Sequence, residues 1–97
     1  PTDLRIVASQ AADELLNIVS VDASFVLYPD DSGVAFSARS MGAVNVQLVM
    51  ERLGGGGNHS AAGAQLRNTT PEEADRLITE AIRGYLEDQR AEKQNEH

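Results

Sequence analysis

Apolar residues first recur at Leu4, Val7, Ala11, Leu15 and Ile18, a spacing of three to four that predicts an amphipathic helix with Thr2 or Asp3 as its cap. From Val21 the period becomes two. Ala23, Phe25 and Leu27 face one side and Ser24, Val26 and Tyr28 the other, the signature of a strand. Pro29-Asp30-Asp31-Ser32-Gly33 is turn chemistry, and Val34, Phe36 and Ala38 then alternate with Ala35, Ser37 and Arg39. Two alternating runs around such a turn predict an antiparallel hairpin. Asn45 caps a second helix with Val46, Val49, Met50 and Leu53 as its stripe, and Gly54 is its expected left-handed terminus. Ala64–Leu66 reads as a third short strand. Thr70-Pro71-Glu72-Glu73 is a strong helix start, and Ala74, Leu77, Ile78, Ala81, Ile82, Tyr85 and Leu86 continue the stripe. The apolar face stops there, so 1–87 reads as one domain and 88–97 as a frayed polar tail. The expected fold is a small α+β layer in the order α-β-β-α-β-α, about three strands with three helices.

Composition narrows the class. A chain of 97 residues with 41% apolar and 4% aromatic content supports one modest, aliphatic core. With no Cys there is no disulfide, thiolate ligand or thiol nucleophile, and no stretch is long and apolar enough to span a bilayer. No signal peptide is visible, so a cytoplasmic domain is expected, and a start at Pro1 without Met is expected of a fragment. The net charge of −7 argues against duplex nucleic acid and anionic lipid as partners. That charge is uneven. Residues 1–32 carry −5 and 69–97 carry −4, whereas 33–68 carry +2, from Arg39, Arg52 and Arg67 against Glu51. An anion site belongs in this cationic, glycine-rich middle.

Gly54-Gly55-Gly56-Gly57-Asn58-His59 demands an explanation, because ordering four glycines costs conformational entropy. A flexible linker would have pattern-free flanks, but a helix leads in and Ala61-Ala62-Gly63 follows. The alternative is close backbone approach to a ligand, with N–H groups gathered around an anion. It is not a P-loop, since the chain's one Lys is Lys93, and the spacing fails the dinucleotide fingerprint. Arg39-Ser40 is either a solvated strand end or a guanidinium fork with a hydroxyl beside it for phosphate. Asn45 reads as a cap, and Arg52 and Arg67 as solvated charges. His59 has no second ligand at metal spacing, so no metal site is expected in this chain. Asp13-Glu14 and Glu72-Glu73 are explained by solvation and capping on helices.

These residues resemble a known family. Phe36-Ser37-Ala38-Arg39-Ser40, Val44-Asn45-Val46-Gln47, Met50-Glu51-Arg52-Leu53 with the glycine run, and Ala61-Ala62-Gly63-Ala64-Gln65-Leu66 together resemble the C-terminal DHH-associated domain of DHH phosphoesterases. Gln10-Ala11-Ala12-Asp13-Glu14-Leu15-Leu16 is most similar to the membrane-anchored cyclic-di-AMP phosphodiesterases. The resemblance covers roughly residues 4–86.

It implies a parent hydrolase whose N-terminal DHH domain holds two manganese ions, while this domain, without catalytic residues or metal, holds the nucleotide. Arg39 and Ser40 would hold phosphate, Gly55, Gly56 and Gly57 would admit the substrate to the backbone, and the expected substrate-binding set is completed by Asn45, Gly54, Asn58 and His59. The family has His where this chain has Asn58, with His59 one place later. The implied activity is hydrolysis of cyclic-di-AMP to linear di-AMP by a parent that is anchored to the inner membrane, its DHH domain being this domain's partner in the same chain. The fragment alone is expected to be inactive and to make no direct membrane contact; a dimer is compatible with the sequence. The family also includes oligoribonucleases with phosphoadenosine phosphatase activity and exopolyphosphatase-related proteins. Outside the family, the rival is a protein-interaction module with a structural glycine loop.

Overall fold

A computed structural model describes residues 5–8, 16–19 and 22–94 of the chain. The described elements are β1 (Arg5–Ala8), β2 (Leu16–Val19), β3 (Ala23–Asp30), β4 (Gly33–Ser40), α1 (Val46–Glu51), β5 (Gly56–Gly57), β6 (Ala61–Arg67) and α2 (Pro71–Gln94). The strands form one antiparallel sheet in the order β1-β2-β3-β4-β6-β5.

The class is α+β as expected, but the element count differs, with six strands and two helices among the described residues in place of three and three. The largest correction is at the N-terminus. Where a helix was expected, Ile6 pairs with Ile18 and Val7 with Asn17, and β2 then pairs with β3. The β-branched side chains Ile6, Val7, Ile18 and Val19 favour an extended backbone, and β2 gives β3 a partner on what would otherwise be a bare edge. The expected cap at Thr2 or Asp3, the Gln10–Leu15 stretch and the Asp13-Glu14 pair lie outside the described residues. The third expected strand is β6, which begins at Ala61, three residues before Ala64. At the other end α2 runs on to Gln94, through positions expected to belong to a polar tail, and residues 95–97 lie outside the description.

The hairpin was correctly anticipated, and one carboxylate builds its turn. Asp30 Oδ1 accepts from the Ser32 N–H (2.9 Å), the Ser32 hydroxyl (3.0 Å) and the Gly33 N–H (2.8 Å), while Oδ2 accepts from Gln65 Nε2 (3.1 Å). These bonds, led by the Ser32 amide, hold the Asp30 carboxyl below its ordinary value of 3.8.

Both helices lie on one face of the sheet. Ala23, Phe25 and Leu27 of β3, Val34, Phe36 and Ala38 of β4, and Ala62 and Ala64 of β6 are buried there. Val46, Val49 and Met50 of α1 meet them, as do Ala74, Ile78, Ala81, Ile82 and Tyr85 of α2. Thr70 caps α2, accepting the Glu73 N–H at 3.2 Å, and Tyr85 locks the helices together by accepting the Asn45 N–H at 2.9 Å. The other face carries Ser24, Val26 and Tyr28 of β3, Ala35 and Ser37 of β4, and Ala61 and Gly63 of β6, all only half-buried. No helix among the described residues is long and apolar enough to cross a membrane.

Two measurements check this account. Tyr85→Phe keeps the ring but strands the Asn45 N–H, so chemical denaturation should show a loss of about 1–3 kcal/mol. Asp30 has a depressed folded value, so its charge stabilises the fold above its unfolded value, and this is lost as pH falls through the lower, folded one. Asp30→Asn should therefore be less stable than the wild type near neutrality, with the two denaturation midpoints converging as the solution is acidified below about 4.

Candidate functional site

The glycine run is first a piece of folding machinery. Gly54 has φ +83, the left-handed conformation that closes a helix. Its N–H donates to Glu51 O (3.1 Å) and that of Gly55 to Met50 O (2.9 Å), a Schellman closure that commits both amides to α1. A Cβ on Gly55 would lie 2.1 Å from Gly63 O, and one on Gly57, whose φ is +146, would lie 2.5 Å from Ala61 O. These two glycines therefore let β5 lie against β6. Gly56 differs, because a Cβ there would meet nothing within 4 Å.

Asn58 and His59 shape the turn that follows. Asn58 Oδ1 accepts the N–H groups of Ser60 and Ala61 (2.9 Å each), and the Asn58 N–H donates to Ala61 O (2.8 Å). This is Asx-turn chemistry. With the Asn58–Ala61 pair hydrogen-bonded, antiparallel alternation puts Gly56–Gly63 in the next bonded pair and turns the Gly57 N–H outward along the sheet edge. His59 is exposed, and its Nε2 donates to Gly42 O at 3.0 Å, since a carbonyl can only accept. Its backbone carbonyl accepts the Val46 N–H (3.2 Å) at the start of α1.

Arg39 and Ser40 are successive residues of β4 and so face opposite sides of the sheet. Ser40 lies on the helix side. Its N–H donates to Ser60 O (2.9 Å), its hydroxyl to Gly42 O (3.2 Å), and its Oγ accepts the Gly42 N–H (3.3 Å). Arg39 is exposed on the open face, level with Ser24 and Ala61, and Nη1 donates to Ala38 O at 3.2 Å. Asn45 acts as a cap, with Oδ1 accepting the Gln47 N–H at 3.1 Å.

Of the cationic middle segment, Arg52 forms an ion pair with Asp88 of α2, and Arg67 pairs with Gly33 at the far end of the sheet. Arg39 is left at the glycine end. Beside it the open face is nearly bare, because Ser37, Gly63 and Gly56 stand side by side across β4, β6 and β5. On the face that carries Arg39 the structure thus places Gly56, two strands away, with the Gly57 amide on the outer edge of β5. Ser37 and Gly63 join them, and sequence reading passed them over, although the two-residue alternation through Arg39 already places Ser37 on its face. No group of three His, Cys, Asp or Glu able to hold a metal occurs among the described residues, and His59 does not fit that role.

The model of the DHHA1 domain matches residues 5–88 of the chain. The chain belongs to that family. This DHHA1 domain is 49% identical over 84 residues to cyclic-di-AMP phosphodiesterase GdpP of Geobacillus thermodenitrificans, covering 86% of the chain and 13% of the relative. It is 46% identical over 81 residues to cyclic-di-AMP phosphodiesterase PdeA of Listeria monocytogenes, covering 82% and 12%. With the bifunctional oligoribonuclease and PAP phosphatase NrnA of Thermus thermophilus it shares 35% identity over 83 residues, covering 81% and 26%. The chain thus spans about an eighth of the length of the first two relatives.

The glycines separate by substitution. Gly57→Ala should lower stability by about 2 kcal/mol or more, through strain at positive φ and the clash with β6. Gly56→Ala should stay within about 1 kcal/mol of the parent in the same denaturation series.

Proposed function

We propose that this DHHA1 domain is the substrate-holding part of a larger DHH phosphodiesterase that opens cyclic-di-AMP to linear di-AMP. One observation carries the reading: Arg39 stands beside the side-chain-poor strip Ser37–Gly63–Gly56 on a sheet face that neither helix covers. The two relatives named as cyclic-di-AMP phosphodiesterases support it. A guanidinium offers two parallel N–H donors to a phosphate, and such charge-assisted bonds are roughly twice as strong as neutral ones. The bare strip lets a ligand reach backbone level next to that charge, and the Gly57 amide adds a donor at the edge.

The hydrolytic step belongs to the partner DHH domain in the same parent chain, where manganese would activate water for attack on phosphorus. This chain contributes binding and orientation only, and works on the cytoplasmic side of its parent. The NrnA relative supports a second reading, with the same face holding a short oligonucleotide or a phosphoadenosine.

An amide NMR titration with cyclic-di-AMP, linear di-AMP and AMP tests the site and ranks the two readings. Shifts should centre on Ser37, Arg39, Gly56, Gly57 and Gly63, and Arg39→Ala should weaken binding by about tenfold or more. Shifts confined to the α1–α2 side, or none at millimolar ligand, would overturn the assignment. With manganese added, the chain alone should release no linear product; clear turnover by the purified chain would refute the division of labour.

A further inference from the structure

One side chain at the end of β4 remains unused by the fold. Met41 is 61% exposed, more than the other large apolar side chains at the surface, Val19 (39%) and Leu48 (41%). An isolated exposed apolar residue needs no explanation in general. The backbone around Met41 supplies one. Its N–H donates to Asp22 O at 2.8 Å, which carries the β3–β4 ladder one step past the Ala23–Ser40 pair. Side chains alternate along that ladder, so Met41 falls on the open face with Ser37 and Arg39, and opposite to Ala38 and Ser40. Successive side chains on one face of a strand stand about 7 Å apart. The segment is also tied down: Ser40 N–H to Ser60 O (2.9 Å) and His59 Nε2 to Gly42 O (3.0 Å) bracket Met41 on both sides.

A phosphate needs only Arg39, but a nucleotide also brings a flat, apolar, polarisable base. The described aromatic side chains do not serve it here. Phe25, Phe36 and Tyr85 are buried in the core, and Tyr28 pairs with Ala35, four residues along β4 from Arg39. Met41 stands one side-chain step from Arg39 along the strand and is largely exposed, whereas the neighbouring apolar residues Val26 and Ala61 on that face are half-buried. Thioethers pack favourably on aromatic rings and adapt their shape to them, and a tethered loop loses little freedom on doing so.

We infer that Met41 is the base-contacting residue of this site, packing its thioether on the purine ring of a nucleotide whose phosphate is held by Arg39. The inference rests on the reading of the Arg39 face as a phosphate site. It adds that the ligand is a nucleotide with its base laid at the loop end of β4.

The test uses the full 97-residue chain with carbon-13-labelled methionine methyls, of which there are two, Met41 and the fully buried Met50 as internal reference. AMP, ribose 5-phosphate and inorganic phosphate are titrated into the wild type, Met41→Ala and Met41→Leu. All three ligands should move the Arg39 amide. AMP alone should move the Met41 methyl, in the direction of a ring current, with Met50 still. Met41→Ala should weaken AMP roughly three- to tenfold and leave ribose 5-phosphate unchanged, and Met41→Leu should keep most of the affinity. If Arg39 responds while the Met41 methyl stays still and Met41→Ala binds AMP normally, the base lies elsewhere and the inference falls, with the phosphate site intact. If Met41 responds and Arg39 does not, or neither does, the phosphate reading falls and takes this inference with it.

Discussion

The two faces of β4 tie the candidate site to the core. Val34, Phe36 and Ala38 are buried beneath the helices, and the alternation that buries them sends Ala35, Ser37 and Arg39 to the other side. A slip of one residue would turn Phe36 to solvent and Arg39 into the core, so the register is fixed by the hydrophobic side with no contribution from the polar one. The candidate site therefore inherits its geometry. Its residues need few contacts among themselves, because β3 and β6 hold β4 along its whole length.

The glycine run shows how much of a short segment the fold itself uses. Gly54 closes α1, Gly55 and Gly57 bring β5 against β6, and Asn58 turns the chain back. Each of these tasks consumes backbone donors or removes room for a side chain. What remains is a single open position at Gly56 and an outward amide at Gly57. The expected cluster of successive N–H groups thus contracts to one outward amide on the edge of β5, two strands away from Arg39. In the described structure Asn58 has its side-chain oxygen bound to two amides, so this residue serves the turn.

Much of this was legible in the sequence wherever the signal was local. The alternation of Ala23–Arg39 gave the hairpin, Asn45 and Thr70 gave two helix starts, and Gly54 gave one helix end. The glycines and Arg39 marked the segments from which the candidate site is proposed. Illegible were the features decided by pairing between distant segments. Leu4, Val7, Ala11, Leu15 and Ile18 satisfy a helical period, yet Ile6 and Ile18 are cross-strand partners, and Ile18 on β2 pairs in turn with Phe25 on the edge of β3. Likewise β5 is two glycines long and has no side-chain pattern of its own, so its existence depends wholly on β6. Arg39 and Ser40 look like a pair in sequence, but the same alternation that revealed the strand sends them to opposite faces.

Charge placement sharpens what such a face can accept. The chain carries −7 overall, and two of the three arginines in its cationic segment are removed from the site, Arg52 by Asp88 and Arg67 by distance along the sheet. A polyanion needs a track of cations along its backbone, and β4 presents one guanidinium on a floor of Ser, Ala and Gly. Such a surface has room and charge for a single phosphate with its flanking group, while the acidic remainder repels longer polymers. Under the proposed function, the small share of positive charge that the fold leaves exposed would favour a compact nucleotide over a longer polymer.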